Sequence, residues 1–151
     1  MTSPELDPAW TRFVAAAPAD GNVYITDNDN NRVQYFTSGG SYLGEWGAYG
    51  SAEGEFHSPR GLAFAPDGGV LYVADGYNGR IQYFTPTGSY LGRIGEFGQG
   101  NGQFNYCSDV DFTAGGERLY VADAYNTRMQ YFYNDTAVAP SSWGRVKAFF
   151  R

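Results

Sequence analysis

One stretch of this chain is written three times, and that repetition limits the fold more than any other feature. Val23-Tyr-Ile-Thr-Asp-Asn-Asp-Asn-Asn-Arg-Val-Gln-Tyr-Phe36 returns as Leu71-Tyr-Val-Ala-Asp-Gly-Tyr-Asn-Gly-Arg-Ile-Gln-Tyr-Phe84 and again as Leu119-Tyr-Val-Ala-Asp-Ala-Tyr-Asn-Thr-Arg-Met-Gln-Tyr-Phe132. Asp27, Asp75 and Asp123 fall at a constant interval of 48 residues. Gly47, Gly50, Gly54 and Phe56 return as Gly95, Gly98, Gly102 and Phe104 with no gap. A fixed period of this length means copies of one supersecondary unit, each burying its faces against its neighbours.

Within each copy the apolar residues alternate with a period of two, the mark of half-buried strands, and short turn sequences interrupt them. In the middle copy Gly61–Ala65 is a first strand closed by Pro66-Asp-Gly-Gly69, a turn with a preset φ followed by positive-φ positions. Leu71–Ala74 is the second strand, Arg80–Phe84 the third and Ser89–Ile94 the fourth, with turns at Asp75–Gly79 and Thr85–Gly88. The spacing predicts a four-stranded antiparallel meander, and Gly95–Gly102 is glycine-rich enough to be a connection to the next sheet. The same offset makes Thr11–Ala17 a degenerate first strand of the first copy and Val138–Gly144 a ragged fourth strand of the third, with Trp143-Gly144 resembling Trp46-Gly47. The predicted organisation is an extension over 1–10, three units within 11–144 (11–47, 60–95 and 108–144 with their connecting loops) and a tail over 145–151.

Composition agrees with an all-β chain: 21 Gly, 13 Tyr and 11 Phe suit strands and tight turns. Ten Lys and Arg against sixteen Asp and Glu give a net charge of -6, which supplies no overall positive field for nucleic acid or anionic lipid. Cys107 and His57 are the single cysteine and histidine, so one chain forms no internal disulfide and no zinc site from several His or Cys. No apolar run is long enough to span a bilayer, and residues 1–10 lack the basic start and apolar core of a signal peptide. The chain therefore reads as soluble and not membrane-inserted, with its compartment left open.

The pattern Asp-x-x-Asn-x-Arg followed by an apolar residue and Gln-x-Phe, preceded by Leu-Tyr-Val-Ala, resembles the NHL repeat. Asp75, Asn78, Arg80, Gln82, Phe84, Gly88, Leu91 and Gly95 carry it in the middle copy, and Pro59-Arg60-Gly61-Leu62-Ala63 resembles the start of the family's first strand. The resemblance implies a β-propeller, usually six-bladed, whose blades are four-stranded antiparallel sheets. The third copy departs from it, with Cys107-Ser-Asp109 in place of Pro-Arg-Gly. NHL propellers include RNA binders, protein-binding platforms and peptide-amidating lyases. The lyase type needs several metal-binding histidines and the RNA-binding type a basic surface, neither of which this sequence offers. A non-enzymatic binding or assembly module is the expectation, and a propeller enzyme of lyase or hydrolase type is the alternative.

Three blades cannot close a ring, because propellers need about four or more. An open triplet leaves two blade faces rich in Tyr and Phe in water. The expected partner is a second copy, two sets of three blades closing a six-bladed ring around a two-fold axis. An open filament and completion by another propeller-like protein are the other arrangements.

Candidate site residues fall into two groups. The repeated Asp27, Asp75 and Asp123 turns and the repeated Arg32, Arg80 and Arg128 read as scaffold, Asp and Asn bonding nearby backbone and each Arg pairing with a neighbouring turn or carboxylate. Where copies differ, binding is the better reading. Tyr49, His57, Arg60, Tyr77, Phe97, Tyr106 and Tyr125 lie in or beside the loops of one face, and aromatics with an Arg are the stuff of interfaces. Asp109 and Asp111 replace Gly61 and Ala63 on the third copy's first strand and, with Cys107, alternate toward one side. Two carboxylates at a channel mouth suggest a cation site, calcium being the candidate metal, or an acid/base pair; no other cofactor is implied.

Overall fold

In the computed structural model residues 12–133 are described, with the backbone alone of residues 12 and 145–150. The extension expected over 1–10 and the strand expected over Val138–Gly144 lie outside the described residues.

Three four-stranded antiparallel sheets follow one another along the chain. The first joins β1 (Arg12–Ala16), β2 (Val23–Asp27), β3 (Arg32–Phe36) and β4 (Tyr42–Trp46) in that order. The second joins β5 (Pro59–Phe64), β6 (Leu71–Asp75), β7 (Arg80–Phe84) and β8 (Tyr90–Ile94). Between the second and third, β9 (Glu96–Phe97) and β10 (Gln103–Phe104) form a short parallel pair, so the glycine-rich connection is more ordered than its composition suggests. The third sheet joins β11 (Cys107–Phe112), β12 (Arg118–Asp123), β13 (Arg128–Tyr133) and β14 (Arg145–Phe150). Its fourth strand thus lies in the segment expected to be a tail. Arg145-Val-Lys-Ala-Phe-Phe150 is richer in strand formers than the Pro140-containing stretch before it, and proline offers no ladder donor.

The sheets stack face to face as blades. β5 lies between β1 and β11, so the three first strands run side by side along an inner wall. Tyr24, Val33, Leu62, Leu71, Val73 and Phe84 fill the space between the first and second blades. Tyr72, Ile81, Val110, Leu119, Val121 and Phe132 fill the next. The two interfaces are copies in detail. Tyr24 stacks on Tyr35 at 5.1 Å and meets the edge of Phe64 from the second blade at 4.9 Å. Tyr72 stacks on Tyr83 at 5.1 Å and meets Phe112 from the third blade at 5.0 Å. Edge-on aromatic contacts of this kind add about 0.5–1.5 kcal/mol beyond area burial.

Candidate functional site

Each repeated Asp turn is a clamp that reaches outside its own blade. Asp75 Oδ2 accepts hydrogen bonds from Asn78 Nδ2, Arg80 Nε and Gln82 Nε2, while Oδ1 accepts the His57 backbone N–H. With their remaining donors these side chains seize the loop arriving from the first blade. Arg80 donates to the carbonyls of Ser51, Ala52 and Glu55, Gln82 donates to Glu55 and accepts the Gly54 N–H, and Asn78 donates to Gly50. Asp123, Asn126, Arg128 and Gln130 repeat the arrangement on Gly98, Gly100, Gly102 and Gln103. The scaffold reading holds, but Asp75 and Arg80 are buried and not at the surface. Burial pushes the Asp75 carboxyl up, against the hydrogen bonds from His57, Asn78 and Arg80 that favour its charge. Among the described residues, Arg32 and Gln34 of the first blade turn to Glu45 of their own sheet, and the buried Gln34 Oε1 has no partner.

The same loops carry the aromatic residues singled out above. Gly76 and Tyr77 donate their N–H groups to the carbonyls of Ser58 and His57, and Ala124 and Tyr125 donate likewise to Tyr106 and Asn105. This backbone stitching lines up side chains from successive copies. Tyr49 meets His57 at 5.1 Å, His57 meets Tyr77 at 4.8 Å, Tyr77 meets Tyr106 at 4.7 Å and Tyr106 stacks on Tyr125 at 4.7 Å. Five rings thus form one continuous row across the rim, with Tyr49, Tyr77 and Tyr125 well exposed. A hydrogen bond between the Tyr125 and Tyr77 hydroxyls raises the Tyr125 pKa above its ordinary value. Arg60 joins the row through Tyr106, its guanidinium carbon 5.4 Å from that ring and 5.1 Å from the ring of Phe13. Phe97, the counterpart of Tyr49 one copy later, is exposed but stands apart, because Asn105 occupies the position of His57 and offers no ring. Phe13 is the member that sequence reasoning missed; it sits on the degenerate first strand, and nothing local marks it.

The NHL repeat model matches residues 12–36 and 56–84. These two segments are NHL repeats. The clamp is the physical content of the NHL pattern here: Asp orders the turn, Asn, Arg and Gln hold the preceding loop. Among solved structures the chain is similar to the hydrazine synthase of Kuenenia stuttgartiensis, with a TM-score of 0.64 and 16% identity over 81% of this chain and 32% of that one. It is similar to a protein of unknown function from Bacteroides thetaiotaomicron, with a TM-score of 0.69 and 18% identity over 87% and 37%. It is also similar to the virginiamycin B lyase of Staphylococcus aureus, with a TM-score of 0.61 and 18% identity over 80% and 37%. These neighbours are β-propeller proteins, and at such identities they speak to fold alone. The chain spans 32% to 37% of the length of these three structures. No curated protein sequence matches it.

On the inner wall of the blades a concave space of about 430 Å³ is lined by residues of β1, β5 and β11, among them Val14, Ala63, Asp109 and Asp111. Both aspartates are exposed, and each Oδ1 accepts the N–H of the next residue, Val110 or Phe112. Cys107 does not share their side. A bulge between Cys107 and Asp109 puts one extra residue into β11 and reverses the alternation, so Cys107 is buried in the core. Burial, helped by the charges of Asp123 and Asp75, pushes its thiol well above the ordinary range. Among the described residues no three His, Cys, Asp or Glu side chains gather as a metal-binding group. Nor is any helix among them long and apolar enough to cross a membrane.

Proposed function

We propose that the chain is a non-enzymatic binding and assembly module that completes a six-bladed propeller with a second copy of itself and offers the aromatic rim to a partner. One observation carries the assembly. On the second blade, Leu62 is 6% and Val73 0% exposed because the first blade covers them, whereas among the described residues the first blade's counterparts are less covered, Val14 being 63% exposed and Ile25 partly buried. The third blade holds the complementary surface. Tyr120 and the exposed Met129 stand in the register of Tyr24 and Val33, and of Tyr72 and Ile81, which are the residues that receive a following blade. Joining the third blade of one copy to the first of another uses an interface that the chain already makes twice, and two such joints related by a two-fold axis close a ring.

Native mass measurement tests this. The expected species is twice the 16.6 kDa chain, and Ile25→Lys is expected to give a monomer with an unchanged β-sheet circular dichroism spectrum. A persistent wild-type monomer overturns the ring, and species that lengthen with concentration replace it with a filament. A distinct propeller protein co-purifying in equal amount replaces the second copy as the occupant.

The concave space beside Asp109 and Asp111 favours a second reading, a propeller enzyme with a cation or acid/base site there. Calcium retained through purification and a melting temperature lowered by its removal, in the native protein and not in Asp109→Asn, would support it; no response to calcium would remove it.

A further inference from the structure

Arg60 is unlike the arginines of the clamps. Arg32, Arg80 and Arg128 each give Nε to an aspartate. Arg60 makes no ion pair among the described residues, and its Nε is buried with no hydrogen-bond partner. Its guanidinium lies instead between Phe13 of the first blade and Tyr106 ahead of the third, within Coulombic range of the Tyr125 hydroxyl. Aromatic rings stabilise a guanidinium through its faces but leave its N–H fork, the part suited to a planar oxyanion, unsatisfied. Although the chain has six more acidic than basic side chains, none among the described residues comes within ion-pair distance of Arg60. The residue as a whole is only partly buried, which leaves part of its side chain open to solvent among the described residues. The register adds a further feature: Arg12 and Ser108 hold the positions of Arg60 in the first and third copies.

We propose that Arg60, with the adjoining rings of Tyr77, Tyr106 and Tyr125, is a binding site for a carboxylate carried on a flat apolar body. The carboxylate takes the guanidinium fork, and the body lies along the tyrosine row. A neutral isostere lacks the charge that the site is missing. This deepens the binding role given to the rim and rests on that reading. It does not depend on ring closure, because every residue named belongs to one chain.

Benzoate and benzamide serve as matched probes, followed by the Arg Nε–H and backbone resonances of the ¹⁵N-labelled protein. Benzoate is expected to shift one Arg Nε–H resonance and the Tyr77, Tyr106 and Tyr125 amides saturably, with a dissociation constant of about 1 mM, and benzamide to bind at least about tenfold more weakly. Arg60→Lys keeps the charge and loses the fork, and is expected to weaken benzoate by about tenfold. Arg60→Gln is expected to abolish the preference for benzoate over benzamide; should that variant not fold, the resonances of the unaltered protein decide. Equal binding of the two probes, or an unchanged affinity in Arg60→Lys, overturns the anion site while leaving the rim a neutral aromatic surface. No shift from either probe overturns the anion site and the rim reading together.

Discussion

Asp75 and Arg80 meet at 2.7 Å inside the second blade, with side chains 0% and 5% exposed. Removing the cation strands a buried carboxylate, and a pair broken in this way typically costs about 3–5 kcal/mol. Its counterpart in the first blade joins Asp27, 2% exposed, to an Arg32 that is 19% exposed and shared with Glu45, so water can reach the place the arginine leaves. Arg80→Ala is therefore expected to lower urea stability by about 3–5 kcal/mol and Arg32→Ala by less, about 1–3 kcal/mol. Equal losses in the two variants would show that the clamp's hold on the incoming loop contributes nothing.

Gly61 lets β11 approach β5. A Cβ at this position would run into the Asp109 carboxylate and lie 2.7 Å from the Asp109 Cα. Gly61→Ala should destabilise the protein by about 1–3 kcal/mol, the range for an overpacked core. Asp109→Gly added to it should recover only part of the loss, since the backbone contact remains. Thermal unfolding of the single and double variants checks both.

Thr127 has a φ of 51°, a left-handed conformation that a β-branched residue resists, and the second copy holds Gly79 at φ 61° in the same place. Thr127→Gly is expected to raise stability by about 1 kcal/mol through relief of that strain. A loss in chemical denaturation would mean that the entropy of the unfolded glycine outweighs the relief.

Burial, aided by the charges of Asp20 and Tyr35, pushes the Tyr24 hydroxyl up to about 12, and the neutral phenol donates to the Pro86 carbonyl at 2.7 Å. A pKa raised in the folded state stabilises the fold below the unfolded value of 10.0, and this stabilisation fades as pH climbs toward 12. Wild-type stability should thus fall between these limits. Tyr24→Phe should be weaker at pH 9 by about 1 kcal/mol but flatter above pH 10, as read by denaturant titration at each pH.

The repeats were legible because the apolar alternation and the turn residues act locally. Six of the seven residues brought together at the rim were legible as rings or an arginine in or beside the loops of one face, while Phe97, chosen on the same ground, stands apart. The sense of Cys107 was not legible, since a bulge changes parity without changing composition. The grip of Arg80 and Gln82 on the Ser51–Glu55 carbonyls was also hidden, because backbone acceptors carry no sequence signal. Phe13 escaped for a related reason: its contact with Arg60 is made by residues from different blades, brought together only when the blades stack. The last strand of the third copy was displaced by extra residues between β13 and β14, which defeat a constant offset.

The clamps of the second and third blades find their loop acceptors upstream, Arg80 at Ser51 and Glu55, Arg128 at Gly100 and Gln103. The chain is consequently wired like a row of identical couplings, each hooked to the carriage ahead and indifferent to the length of the train. A whole unit of 48 residues can be spliced in or cut out without leaving any hook in the interior without its eye. A gene built on this plan can change its number of blades by slippage alone, and every product inherits interior joints that already fit.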